Sequence, residues 1–252
     1  KKFWDDRPCN VRHSEKDIGT KEYFDEVERK RYTAEPHIPL FADFESCKGK
    51  KVLEVGCGMA TEGINFVKQG AEYTGTDLSA ESLELAKKRF EVYNKEGKFY
   101  AGNAEELTSF VPVEVYDLIY SFGVIHHSPN PSKIFDEISE YMDDNSILKV
   151  MLYAKDSWKN YMIEAGHDQP EAQYGCPIAN TYSKQEVEKL MNGFEIISID
   201  QNHIFPYQIE PYKRGEFIKQ PWFESMPDEI FNVLKKNLGW HLLITARRVK
   251  NG

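Results

Sequence analysis

The chain has 252 residues, enough for one sizeable core, and its 41 Asp and Glu outnumber 32 Lys and Arg, so a single acidic unit is expected and nucleic acid is a poor partner. Cys9, Cys47, Cys57 and Cys176 form no C-x-x-C pair or framework spacing, which argues for a reducing, cytoplasmic setting and against a structural metal. No apolar run approaches the ~20 residues of a membrane span, and the opening KKFWDDRPCN is too polar for a signal peptide, in a chain that does not begin with Met.

Residues 1–20 are aperiodic but hold Trp4, Cys9, Asn10, Arg12 and His13, a set that disordered tails avoid. Two readings stand: a cover over a site, or an ordered arm packed on the surface. Thr20 to Tyr32 reads as a charged helix with Tyr23, Phe24 and Val27 on one side, broken by Glu35-Pro36-His37-Ile38-Pro39 and followed by a short helix with Leu40, Phe41 and Phe44.

Val52-Leu53-Glu54-Val55 is a short buried strand. Gly56 and Gly58 follow, a helix opens near Thr61 with Ala60, Ile64 and Val67 on one face, Gly70 ends it, and a second strand, Glu72 to Thr76, runs into Asp77. Strand, glycine turn, helix, strand and acid make a nucleotide-binding βαβ unit. A dinucleotide fingerprint wants Gly where Thr61 stands, which weakens an NAD reading. Glu54, an acid in an apolar strand, is costly unless it faces a polar ligand or orders a loop; it would repel a pyrophosphate but not a cation.

The EVGCG segment resembles the E/D-x-G-x-G-x-G signature of class I methyltransferases that use S-adenosylmethionine, with Ala60 where the family has its third Gly. The resemblance implies a cofactor site of Glu54, Gly56, Gly58, Thr61, Asp77 and Leu78, in which Asp77 accepts hydrogen bonds from both ribose hydroxyls. It also implies that the N-terminal helices close over the cofactor.

Ser79 caps a helix with Leu83, Ala86 and Phe90 inward, and Phe99-Tyr100-Ala101 is a third strand. After it stand Asn103 and Ala104; family members place an adenine-reading acid or amide here, and an Asx turn capping the next helix is the other reading. The fourth strand, Val115 to Ser121, continues into FGVIHHSPNP. This stretch resembles the DLIxSxGVLHH segment of the ubiquinone-biosynthesis-like group of methyltransferases. Ser121 joins the expected cofactor residues, and His126 and His127 fall at the rim, where His126 either orients or deprotonates a substrate or simply shapes the pocket.

A helix through Ile134, Phe135 and Ile138 and a fifth strand, Ser146 to Tyr153, complete the regular part, and Tyr153 joins His126 as a candidate catalytic residue. Residues 154–182 have no period and read as a lid or binding loop. Ser183 and Glu186 form a capping box, Phe194 to Asp200 is a sixth strand, 201–238 is a second insertion, and Trp240 to Arg247 is a seventh strand. The fold class is thus α/β: a Rossmann-like, seven-stranded, mostly parallel sheet with helices on both faces. Its single domain divides into an N-terminal helical cover (1–48), a cofactor-binding core (49–153), lid insertions after strands five and six (154–182 and 201–238), and the remaining sheet (183–200 and 239–248).

The insertions should roof an acceptor pocket with Tyr174, Asn180, Tyr182 and His203, while Arg12, His13 and Lys213 are candidates for holding an anionic substrate group. Their many aromatics either stack on a flat or cationic substrate or form a satellite core. The expected reaction is methyl transfer from S-adenosylmethionine to the O, N or S atom of a small molecule, without a metal. A methyltransferase acting on RNA or protein, an NAD(P)-dependent oxidoreductase and a nucleotide-binding fold without turnover are the alternatives. The fourth strand lacks the Pro-Pro-aromatic clamp of DNA amino-methyltransferases. Oligomeric state stays open, a homodimer included.

Overall fold

Short branched runs of the sequence form the strands of one sheet in a computed structural model that describes residues 2–6, 11, 14–167 and 176–249. The strands are β1 (Lys51–Val55), β2 (Glu72–Asp77), β3 (Lys98–Ala101), β4 (Leu118–Phe122), β5 (Ile147–Tyr153), β6 (Phe194–Asn202) and β7 (His241–Arg248). They lie in the order β3-β2-β1-β4-β5-β7-β6. Every pairing is parallel except those of β7, which runs antiparallel to both β5 and β6. Strand order reverses between β1 and β4, so the crevice at their carboxyl ends is the place where such a sheet binds ligands.

Alternation along each strand feeds two cores. Leu53, Val55, Ile119, Leu148, Val150, Leu152 and Ile244 face one layer, with Phe135 and Ile138 of the helix Pro131–Ser139 and Val187 of the helix Lys184–Leu190. Val52, Leu118, Tyr120, Phe122, Met151, Tyr153 and Leu243 face the other, against helices Thr61–Lys68, Ala80–Val92 and His37–Ala42. Each such side chain, once buried, contributes roughly 1.5–3 kcal/mol before entropy is counted. The helix Lys21–Ala34, capped by Thr20, packs Tyr23, Phe24 and Val27 on Met59 of the glycine turn.

The fourth strand begins later than the pattern Val115 to Ser121 suggests. Val115 is exposed, the Tyr116 hydroxyl turns to Thr74, and the Asp117 carboxylate accepts from the Lys51 amide, so pairing starts at Leu118. Both insertions leave the sheet at its ligand-binding end. The first contains the helix Trp158–Glu164 and the second the helices Ile209–Lys213, Pro221–Glu224 and Asp228–Leu238. They meet through Trp158 against Phe223 at 5.6 Å and through Gln201, whose amide donates to the carbonyls of Asp156 and Gly239.

Candidate active site

The glycine turn is held by backbone bonds to its neighbour strand: the amides of Gly56 and Cys57 both donate to the Thr76 carbonyl, at 2.8 and 2.9 Å. Gly56 has φ +80°, and a Cβ there would sit 2.2 Å from Val124 Cγ2, so the loop after β4 closes directly over it. Gly58 differs, for at φ +53° an added Cβ would meet nothing within 4 Å. Its amide donates to Asp77 Oδ2 at 2.7 Å, while Ser79 donates to Oδ1 at 2.9 Å. Asp77, half-buried at the end of β2, therefore stands next to the open space beside Gly58. Burial lifts its carboxyl above the usual range although the Ser79 and Gly58 amides pull the other way.

Glu54, Thr61 and Ser121 turn their side chains inward. Glu54 lies on the face under helix Thr61–Lys68, and its Oε2 accepts from the Tyr73 hydroxyl at 2.5 Å. Burial, with Glu62 nearby, pushes that carboxyl well up. Thr61 accepts from Arg89, and the Ser121 hydroxyl donates to the Val55 carbonyl at 2.9 Å. These three thus order the loop and the strand pair through their side chains. Leu78 and Ala104 are half-buried beside the crevice strands, and Asn103 is exposed with its side-chain oxygen accepting from the Glu105 amide at 3.2 Å, the Asx cap.

On the acceptor side the structure brings His126 and Tyr153 together, ring centroids 3.7 Å apart. His126 is fully buried, and neither ring nitrogen has a hydrogen-bond partner among the described residues. Burial and the adjacent His127 hold its pKa far below the ordinary value, so the ring is neutral. Tyr153 stacks on Trp240 at 4.3 Å. The N-terminal segment lies over this rim: Trp4 packs edge-on against His127 at 4.9 Å, and the Asp5 charge adds to the upward push on Asp77.

Asn180 donates from its backbone to the His126 carbonyl at 2.9 Å, and Tyr182 bridges to Ala154 at the end of β5. Both also line an open depression of about 710 Å³ with Asp136, Glu186 and Lys189, none of which belongs to the glycine turn. His203 stands against His241 at 4.6 Å. Arg12, His13 and Tyr174 lie outside the described residues, as does the Lys213 side chain at the end of its helix. The aromatics of the second insertion pack on one another, Phe205 with Tyr207 and Tyr212, as a satellite core does.

Two features escape sequence reasoning. Arg89 is fully buried, donating to the carbonyls of Met59 (3.2 Å) and Phe24 (3.0 Å) as well as to Thr61, and so ties the glycine turn to the N-terminal helix. Glu35, His37 and His241 form a cluster of potential ligand atoms within 4.8 Å of one another, where no metal site was expected. For Arg89 the usable signal was its spacing, three residues past the inward Ala86; for the cluster there was none, because its members are some two hundred residues apart.

A family model described as a methyltransferase domain matches residues 46–202, which includes the glycine turn, Asp77, Asn103 and the His126 loop. The chain belongs to this family. Methyltransferase relatives include the ubiquinone biosynthesis O-methyltransferases of Photobacterium profundum, 29% identical over 38% of this chain and 41% of that protein, and of Dechloromonas aromatica, 34% identical over 35% and 38%. The matched part thus spans about two fifths of those relatives' length. In fold, the methyltransferase chain is similar throughout to the magnesium protoporphyrin IX methyltransferase of Synechocystis, with SAH bound in that structure: TM-score 0.63, 15% identity, and 98% and 97% of the two chains covered.

Proposed function

We propose that the protein transfers a methyl group from S-adenosylmethionine to an O, N or S atom of a small molecule. The observation that carries this reading is the open space beside Gly58, where a side chain would stand, next to the carboxylate of Asp77 at the carboxyl end of β2. When bound there, the sulfonium supplies an already activated methyl group. Asp77 accepts from the ribose hydroxyls, with Leu78, Asn103 and Ala104 around the base, and the uncharged Gly58 surface lets the backbone approach the ligand closely. Glu54, Thr61 and Ser121 hold the loop in that shape.

The remaining tasks are alignment and exclusion of water. His126 and Tyr153 sit at the buried end of the crevice, and the neutral imidazole of His126 is the form able to take a proton from an alcohol or phenol acceptor. Small acceptors are favoured by the acidic composition and by the similar proteins, which are named for O-methylation in ubiquinone biosynthesis and for methylation of magnesium protoporphyrin IX. Calorimetric titration with S-adenosylmethionine, its demethylated product and NAD tests the cofactor, with heat expected only from the first two. Methyl transfer to a panel of phenols, carboxylates and amines, alongside RNA and protein, then tests the acceptor class. Turnover on macromolecules alone would reverse that part of the reading.

A further inference from the structure

Three imidazoles and a carboxylate, brought in by three separate stretches of chain, converge at the carboxyl ends of β4, β5 and β6. Glu35 is the C-cap of helix Lys21–Ala34, His37 opens the next helix, His241 opens β7 opposite Tyr153, and His203 follows β6. His37, His203 and His241 are each buried. We propose that Glu35, His37 and His241 form a binding site for one divalent transition-metal ion of the zinc, cobalt, manganese or iron class.

The spacing suits it. Two nitrogens held at about 2.0–2.1 Å from one ion lie roughly 2.9 Å apart at a right angle and roughly 3.4 Å apart in a tetrahedron. His37 Nε2 and His241 Nδ1 stand 2.9 Å apart, as a hydrogen-bonded imidazole pair, and move by a few tenths of an ångström at most to share an ion. Glu35 Oε1 lies 3.7 Å from His241 Nε2, and all three residues offer atoms within 4.8 Å. That carboxylate faces the Nε2 edge of His241, the side away from His37, so loading turns it toward the Nδ1 edge that the two imidazoles share.

Donor chemistry selects the ion. Two imidazoles and one carboxylate suit borderline divalent metals, not the all-oxygen preference of magnesium or calcium, and three protein ligands leave a position for water or another oxygen. His203 supplies a separate sign of function: it is a non-glycine residue at φ +72°, a conformation costing about 1–2 kcal/mol. Asn202, accepting from the His203 amide at 2.7 Å, and Trp240, donating to its carbonyl at 2.7 Å, hold it there, its ring stacked on His241.

The test is cobalt titration of the full chain after chelator treatment, followed by visible absorption. One ion per chain is expected, with the bands of a nitrogen- and oxygen-ligated centre. Glu35→Gln keeps the side chain's shape and is expected to weaken binding about 10- to 100-fold, while His37→Gln and His241→Gln remove it. Should either histidine variant not fold, Glu35→Gln alone decides. No binding by the unaltered chain, or equal affinity in the variants, overturns the site. Titration of S-adenosylmethionine into the same samples keeps this outcome separate from that of the methyl-transfer reading.

Discussion

Three small residues of the turn after β1 share a left-handed backbone yet differ in what surrounds them, and that difference predicts three separate outcomes. Gly56→Ala places a methyl 2.2 Å from Val124, a stiff β-branched neighbour, at φ +80°; clash and strain together are expected to cost roughly 3 kcal/mol or more in urea unfolding. Gly58→Ala meets no neighbour within 4 Å at φ +53°. It is expected to cost only about 1–2 kcal/mol of stability while weakening S-adenosylmethionine about tenfold or more, since the methyl stands in the ligand's place. Ala60 already carries its methyl at φ +53°. Ala60→Gly gains about 1–2 kcal/mol of released strain but gives up about 0.5–1 in backbone entropy and about 0.8 for the buried methyl; the sum is near zero, to be read from matched melts. Asp77→Ala, leaving the fold intact, is expected to abolish cofactor binding, and unchanged calorimetric affinity would remove Asp77 from the site. Residue identity made the turn and Asp77 readable in sequence, because glycine and a strand-end acid are few and their spacing is short. It misled for Glu54, whose place on the alternating strand faces Tyr73 and not the crevice.

Helix Lys21–Ala34 is tied to the glycine turn by the Arg89 guanidinium, whose bonds to Phe24, Met59 and Thr61 join three elements, beside the packing of Tyr23, Phe24 and Val27 on Met59 and the Arg31 bond to Glu62. Arg89→Leu leaves two buried carbonyls and a hydroxyl without that donor, each a loss of about 1–3 kcal/mol if unrepaired. The expected result is earlier protease cleavage within residues 21–34, together with a weaker cofactor affinity. Cleavage unchanged would mean that the packing of Tyr23, Phe24 and Val27 and the Arg31–Glu62 ion pair hold the helix without Arg89. Elements with a strong period were legible: the capping box at Ser183 and Glu186 stands as read, as do the helices after Gly58 and Ser79. Where tertiary bonds override local pattern, legibility fails. Val115 and Tyr116 look like strand, but Val115 is exposed and Tyr116 turns its amide to the Tyr141 carbonyl and its hydroxyl to Thr74, and Arg89 looks like a solvated charge because arginine is almost never fully buried without a carboxylate.

Across the whole molecule, the antiparallel β7 inserted between β5 and β6 decides what the sequence could not show. It sets His241 opposite Tyr153 on one side and Asn202 on the other, and so gathers residues from both ends of the chain at the ligand-binding edge. That gathering has a consequence for pH. His126, His127 and His241 all have pKa values held below the ordinary 6.5 by burial first; His127 adds to this for His126, and His203, His37 and Lys159 add to it for His241, while the Ile178 carbonyl pulls His127 the other way. In the unfolded chain they take up protons as pH falls through that value, and in the folded chain they do not, so their stabilisation is complete above it and is lost progressively below. Glu54 acts in the opposite sense, since its folded carboxyl is raised and stays protonated where the unfolded one ionises. Asp77, whose carboxyl burial also raises, adds to Glu54, so three imidazoles stand against two carboxyls; the excess protons fall to the unfolded state, each corresponding to about 1.4 kcal/mol per pH unit. Urea midpoints are therefore expected to fall steeply between pH 6.5 and 5, before most surface carboxylates titrate, and His126→Phe should flatten the slope by about one proton. A flat profile across that interval would mean that these imidazoles are hydrated and titrate in the folded chain as they do in the unfolded one.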